Sequence, residues 1–142
     1  MAFLARVTVA VVFVSAAVPK IGDPGRFAEA ISTYRLLPES GAVLLALWLQ
    51  WLELCAGCAI LISPMRRAAL AILLTLTVAF GLALLQAWCR GLDITCGCFG
   101  NTDAVHGAAY AGLLLRDGLL LGLLCWLWRA SRAAIMSCPL PR

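Results

Sequence analysis

The sequence is poor in charged residues and contains no long charged segment. Only 13% of its 142 residues are charged, whereas 63% are hydrophobic. A soluble domain carries about 25% charged residues and about 45–50% apolar ones, so this composition excludes an ordinary soluble protein. The net charge of +4 does not indicate a nucleic-acid partner, because the location of lysine and arginine matters more than their sum in a membrane protein.

Long apolar runs separate the few charged residues. A helix needs roughly 20 apolar residues to cross a bilayer, and four stretches reach or approach that length. The predicted spans cover residues about 3–18, 41–62, 68–88 and 108–128. The sequence therefore predicts an all-α, integral membrane four-helix bundle. We expect one transmembrane domain over residues 1–142, ending in a cytoplasmic tail at 130–142.

The first span has an alternative interpretation. Residues 14–17 follow an apolar run and resemble a signal-peptide cleavage region. However, the segment before that run carries only one basic residue, Arg6, and the chain after Lys20 continues with a structured pattern. We therefore expect the first span to be retained.

Serine and proline residues mark the expected starts of the next two spans. Ser40 is placed to cap the second span, and Ser63 to cap the third, with Pro64 in its first turn. Because the connection around Pro64 is short, the second and third spans should form an antiparallel hairpin.

A short amphipathic helix is predicted between the first and second spans. Asp23 and Pro24 form a helix start, with a capping side chain followed by proline. The apolar residues after this start lie on one helical face: Phe27, Ala30, Ile31 and Tyr34. Such a helix would lie on the outer membrane surface or cover the end of the bundle. A structured linker is the alternative.

The basic residues predict the orientation in the membrane. One face of the membrane receives Arg6, Arg66, Arg67, Arg129, Arg132 and Arg142, whereas the other receives Lys20, Arg26, Arg35 and Arg90 among acidic residues. Cytoplasmic connections carry an excess of lysine and arginine. We therefore expect a multi-pass protein of the bacterial inner membrane with both termini in the cytoplasm. The connection over 89–107 would then lie in the periplasm, where thiols can be oxidised.

Two cysteines in that connection are the candidate catalytic residues. Cys96 and Cys98 are separated only by Gly97, in a segment rich in turn-forming residues. A disulfide across one residue would be strained and exposed, and such bridges are easily reduced. Cys89, at the same face, is a candidate third thiol. The alternatives are a static bridge and a metal site, but a metal is disfavoured because only His106 is nearby.

A second cysteine pair, Cys55 and Cys58, has the spacing of thioredoxin-type active sites. It lies inside a predicted transmembrane helix, where Cβ atoms three residues apart are about 5–6 Å from each other. A disulfide prefers a Cβ separation of about 3.8 Å. We therefore interpret the small residues of the stretch Cys55-Ala56-Gly57-Cys58 as helix-packing positions.

Ionisable residues also fall within or at the ends of the spans. Glu53 lies near the middle of the second span, Arg116 and Asp117 lie in the fourth, and Lys20 ends the first. Because charges are costly in a bilayer, they pair and face the bundle interior. By depth, Glu53 could meet Arg116. Such a polar site could accept a quinone head group or relay protons, and a structural ion pair is the alternative.

The motifs together resemble a known family. They are Pro19-Lys20-Ile21 with Asp23-Pro24 and Phe27, then Glu53, then Cys96-Gly97-Cys98-Phe99-Gly100, and finally Arg116-Asp117. Over about residues 3–128 the chain resembles the methylamine utilisation protein family MauE, within the broader DoxX-like group of four-helix membrane proteins.

The resemblance implies a role in methylamine metabolism. Family members are associated with maturing or exporting the disulfide-rich small subunit of methylamine dehydrogenase, alongside a periplasmic thioredoxin-like partner. Carried over to this chain, Cys96 and Cys98 match the thiol pair, and Arg116 with Asp117 the membrane charge motif. The protein would then be a component of a thiol–disulfide oxidoreductase system. The alternatives are a quinone-linked membrane oxidoreductase of the DoxD or DsbB type and a non-catalytic membrane scaffold.

Overall fold

Helices dominate the structure, a computed structural model that describes residues 2–35, 38–92, 94–95, 104–105 and 108–136. In chain order the elements are α1 (Ala2–Gly22), α2 (Pro24–Thr33), α3 (Glu39–Ala59), α4 (Arg66–Cys89), β1 (Ile94–Thr95), β2 (Ala104–Val105) and α5 (Ala108–Met136). The four long helices form a ring in which α1 and α4 each contact both α3 and α5 as antiparallel neighbours, while α2 covers one end.

The four long helices have the composition of membrane spans. Stretches of 21, 21, 24 and 23 residues in α1, α3, α4 and α5 are long and apolar enough to cross a bilayer. A third or less of each stretch is buried inside the bundle, and the outer surface exposes large apolar side chains such as Trp48, Leu82 and Leu119. A surface of this kind suits lipid rather than water. The predicted fold class, an all-helical membrane bundle with a short connecting helix, is confirmed.

The helix ends differ from the expected span limits. The first helix passes through Pro19 and ends at Gly22, and the last continues to Met136, into the segment expected to be a tail. Transmembrane helices tolerate proline because neighbouring groups satisfy the freed backbone.

Neither expected serine cap forms. α3 begins at Glu39 after Pro38, and α4 begins at Arg66 after Met65, in both cases without a side-chain cap. The hydroxyl of Ser63 instead accepts a hydrogen bond from Arg66 Nη2 at 3.0 Å.

The short helix α2 forms as its sequence predicts. Asp23 Oδ1 accepts a hydrogen bond from the backbone N–H of Arg26 at 3.1 Å, and Pro24 occupies the first turn. Phe27 and Ala30 are buried, and α2 packs against α3 while also contacting α1 and β1. The helix therefore covers one end of the bundle, which we call the α2 end. The opposite end, where α4 begins, is the basic end.

Most of the apolar core lies toward the basic end. We call this buried cluster the lower core; it consists of Val9, Ala10, Phe13, Ala56, Ile60, Ala69, Leu70, Leu73, Leu124 and Leu127. Gly57 permits close approach of α1 and α3, because a Cβ atom on it would lie 3.2 Å from the Cβ atom of Phe13. A smaller cluster, Tyr34, Leu84, Ala87 and Tyr110, lies at the α2 end.

The connection from α4 to α5 is fixed at both of its described flanks. The Tyr110 hydroxyl donates a hydrogen bond to the carbonyl of Leu92, and its ring stacks on Trp88 with the centroids 6.4 Å apart. The strands β1 and β2 pair antiparallel. This two-residue ladder was not predicted from the sequence, which indicated only a loop. It joins the two sides of the connection directly before residue 96.

Candidate functional site

A buried ion pair lies between α1 and α3. Lys20, in the last turn of α1, places its Nζ atom 2.6 Å from Glu53 Oε2, in the middle of α3. The two side chains are 2% and 4% exposed. An isolated charge at such a position would cost several kcal/mol of desolvation, so each group depends on the other.

Two aromatic rings enclose the ammonium group of this pair. Lys20 Nζ lies 4.7 Å from the ring centroid of Phe27 on α2 and 5.2 Å from that of Phe80 on α4. Both distances are within the range of a cation–π interaction, which strengthens when the site excludes water. The buried face of α2 therefore rests directly on the charged pair and closes it from the α2 end.

A second pair lies on α5. Asp117 is buried, and its Oδ1 atom accepts hydrogen bonds from Arg116 Nε at 3.2 Å and Nη2 at 3.0 Å. The Oδ2 atom of the same carboxylate is also buried but has no hydrogen-bond partner among the described residues. A buried acceptor without a donor costs about 1–3 kcal/mol, so this atom is a place where a bound molecule can be stabilised.

Both pairs border one small cavity of about 50 Å³. Its polar and aromatic lining consists of Phe13, Lys20, Glu53, Thr77, Phe80, Arg116 and Asp117. One water needs about 10–15 Å³ of such volume, so the space suits a few waters or a small polar group. Two cations and two anions face it, and their formal charges cancel. The cavity therefore suits a neutral group that both donates and accepts hydrogen bonds.

The structure brings together the four ionisable residues that the sequence singled out in the membrane. The expected contact between Glu53 and Arg116 is replaced by a different pairing, in which Glu53 binds Lys20 and Arg116 binds its neighbour Asp117. Lys20 reaches Glu53 because α1 and α3 pack side by side. The sequence analysis missed Thr77 and Phe80, which look like ordinary residues of an apolar helix.

The candidate catalytic thiols Cys96 and Cys98 lie outside the described residues. Cys89 is exposed as the last residue of α4, at the α2 end. The strand β1 ends at Thr95, directly before Cys96 in the sequence, and contacts α2. Within the described ranges, no group of three or more histidine, cysteine, aspartate or glutamate residues is arranged to hold a metal ion.

The second cysteine pair has a different environment from the one expected. Cys55 and Cys58 are exposed on the outer surface of α3, whereas Ala56 and Gly57 between them are buried against the bundle. The small residues of this stretch therefore pack as predicted, but the two cysteines do not. The helical period of about 100° per residue turns both thiols away from the interface that Gly57 occupies.

The chain is similar to known proteins over most of its length. A family model described as "Methylamine utilisation protein MauE" matches residues 1–130. A methylamine utilization protein MauE of Methylophilus methylotrophus is 33% identical, over 80% of this chain and 65% of that protein. A protein of the same name from Paracoccus denitrificans is 30% identical, over 68% of this chain and 52% of its own length.

The chain thus spans about two thirds and about half of these curated relatives. No solved structure matches it. The family match covers all four long helices up to the end region of α5, including the charged cavity. The chain therefore belongs to the methylamine utilisation protein MauE family.

Proposed function

We propose that this protein acts in methylamine utilisation as a membrane component of thiol–disulfide-dependent maturation. The protein that it matures would be the small subunit of a periplasmic amine dehydrogenase, and its redox partner a thioredoxin-like protein. Membership of the MauE family supports the process. The two relatives named above carry the methylamine utilization name as well.

The placement of the α4–α5 connection carries the proposal. Its two flanks are joined to each other through the bond from Tyr110 to Leu92 and through the pairing of Ile94 with Val105, and β1 also contacts α2. In the sequence, Cys96 comes one position after Thr95, the last residue of β1, and Cys98 comes three positions after it. Thiols that serve a periplasmic partner need a fixed support at one membrane face, and the interactions of the two described flanks support this role for the connection.

The exchange that we propose takes place between Cys96 with Cys98 and a thiol pair of the partner, and one pair gains the electrons and protons that the other loses. A thiolate of one pair attacks the disulfide of the other, and a mixed disulfide forms as one thiolate leaves. The second thiol of the attacking pair then breaks the mixed disulfide. Two electrons and two protons have passed from one pair to the other, leaving Cys96 and Cys98 either oxidised or reduced.

We propose that the α2 end faces the periplasm. The arginines of the basic end, Arg6, Arg66, Arg67, Arg129 and Arg132, lie where α1 and α4 begin and where α5 approaches its end. Because basic residues are retained on the cytoplasmic side, this end would face the cytoplasm of the bacterial inner membrane together with both termini.

Replacing both candidate thiols tests the proposal. Cys96→Ser/Cys98→Ser should lower the yield of active amine dehydrogenase at least tenfold, while the amount of the protein in the membrane stays constant. The matched control is Cys55→Ser/Cys58→Ser, which changes two exposed thiols of α3 and should leave the yield unchanged.

Trapping provides the direct observation. Cys98→Ser alone should accumulate a mixed disulfide with the thioredoxin-like partner, visible on a non-reducing gel. Normal dehydrogenase maturation by the Cys96→Ser/Cys98→Ser variant would contradict the redox function and favour a scaffold role.

A further inference from the structure

An apolar groove of about 250 Å³ lies between α3 and α4, beneath the end of α2. Its walls include Leu49 of α3, Leu76, Ala79 and Phe80 of α4, and its upper part is formed by Ile31 and Tyr34 of α2. The groove is almost free of polar surface. The groove therefore presents almost no hydrogen-bonding groups to water but can accommodate a hydrocarbon chain.

The groove belongs to the membrane-embedded surface. Its walls come from two helices that are long and apolar enough to span a bilayer, and the adjoining outer surface of α4 exposes Val78, Leu82 and Leu85. The medium around such a surface is lipid. A molecule dissolved in the bilayer can therefore enter the groove from the side without crossing water.

Phe80 forms the partition between this groove and the charged cavity. The same side chain lines both spaces, and its ring centroid lies 5.2 Å from Lys20 Nζ. The side chain of Phe80 thus separates the hydrogen-bonding groups of the cavity from the lipid-facing groove. The apolar and polar spaces together match an amphiphile with a long tail and a compact polar head.

The charges of the cavity select the kind of head group. Lys20 and Arg116 are balanced by Glu53 and Asp117, so an anionic phosphate would introduce an uncompensated charge. A neutral ring with carbonyl oxygens can accept hydrogen bonds from the cations. Its reduced form has hydroxyl groups, one of which can donate to Asp117 Oδ2, the buried acceptor without a partner in the described structure.

We propose that the groove and the cavity form one binding site for an isoprenoid quinone. The tail lies in the groove, and the ring enters the cavity when the side chain of Phe80, which lines both spaces, turns aside. Binding depends on the helices and not on the thiol connection, so this site goes beyond the proposed maturation function and is tested without it.

The test measures the binding of a short-tailed ubiquinone, with two isoprene units, to the 142-residue protein in phosphatidylcholine nanodiscs. Ala79→Trp fills the groove and should weaken binding at least tenfold. Leu82→Trp places the same side chain on the lipid-facing surface of the same helix, where Leu82 is 61% exposed, and should change binding less than twofold. The tail-less ubiquinone ring should bind at least tenfold more weakly than the tailed probe.

Three further variants keep the test decisive. If the Ala79→Trp variant fails to assemble, the Ala83→Trp variant replaces it in the test, because Ala83 lines the same groove one turn further along α4. Asp117→Asn should weaken binding of the quinol more than that of the quinone. The Cys96→Ser/Cys98→Ser variant should bind with unchanged affinity, which separates this site from the thiol function.

Three results would overturn the proposal. The first is an absence of saturable binding to the wild-type protein. The second is equal binding by the Ala79→Trp and Leu82→Trp variants. The third is native mass spectrometry that finds a phospholipid in the groove, lost in Ala79→Trp and not displaced by the ubiquinone.

Discussion

The two halves of the bundle bury different kinds of side chains between their helices. Toward the basic end, the lower core consists of apolar residues, and Gly57 lets α1 and α3 approach closely. Toward the α2 end, the helices bury Lys20, Glu53, Thr77 and Asp117 at the same kind of interface. The lower core demonstrates that these helices can pack without charge.

The difference indicates what the charged half is for. Buried charges in a membrane protein are costly and mark functional sites by default. Packing does not require them here, and one carboxylate oxygen, on Asp117, has no partner in the described structure. We therefore propose that the lower core is the scaffold and that the charged half, beneath α2, is the functional half.

The largest effect should follow from breaking the buried ion pair on one side only. Lys20→Met leaves Glu53 as an unpaired buried charge and should destabilise the protein by about 3–5 kcal/mol. Unfolding by SDS in mixed micelles, followed by circular dichroism, measures this loss. The control is Arg26→Met, which breaks the exposed pair with Asp23 and should cost less than about 1 kcal/mol. Equal stability of Lys20→Met and wild type would mean that Glu53 does not depend on its partner.

A cavity in the lower core should produce the next largest loss. Leu73 is fully buried, so Leu73→Ala removes packed methyl groups and should cost about 2–5 kcal/mol, with a value near 3 expected. The same SDS titration compares it with Leu82→Ala on the lipid-facing side, which should be nearly neutral. This variant should retain dehydrogenase maturation when the protein is present, since Leu73 does not line the charged cavity. Loss of maturation at normal protein levels would contradict the division into two halves.

Enlarging Gly57 should have a smaller effect. A side chain at this position meets Phe13 on α1, and overpacking of this kind costs about 1–3 kcal/mol. Gly57→Leu should lower the midpoint of thermal aggregation, whereas Gly81→Leu on α4, which meets no atom within 4 Å, should not. Similar midpoints for the two variants would show that α1 and α3 can separate at no cost.

The smallest effect concerns the cap of α2. Asp23→Ala removes the side chain that accepts from the N–H of Arg26 and should cost about 1 kcal/mol. Because α2 covers the charged pair, its backbone amides should exchange hydrogen faster in this variant, while those of the lower core should not. Glu29→Ala, an exposed change on the same helix, serves as the control. Unchanged exchange in α2 would show that Asp23 is not needed to hold the cover in place.

Local chemistry explains which parts of this structure the sequence predicts. The start of α2 follows from Asp23 and Pro24, and its buried face follows from the spacing of Phe27 and Ala30, because caps and periodicity act within one helix. The ends of α3 and α4 do not follow in this way. Ser40 and Ser63 have the right chemistry for caps, but the cap positions are occupied by Pro38 and Met65. Each serine lies two residues away from the position where its side chain would cap the helix.

The partners of the charged residues depend on packing between helices, which the sequence does not encode locally. Depth alone pointed to Arg116 as the partner of Glu53, whereas the contact of α1 with α3 selects Lys20. Similarly, the spacing of Cys55 and Cys58 did not reveal which face of α3 is buried. In the structure, the close approach at Gly57 and the pairing of Glu53 with Lys20 identify that face.

Replacing the whole ion pair tests the central claim most directly. Lys20→Met/Glu53→Leu removes both charges together, and apolar replacement of a buried pair is often neutral or stabilising. We predict that this double variant is at least as stable as wild type in the SDS titration but lowers the yield of active amine dehydrogenase at least tenfold. A double variant that is stable and matures the dehydrogenase at the wild-type level would contradict the claim that the charged half is retained for function.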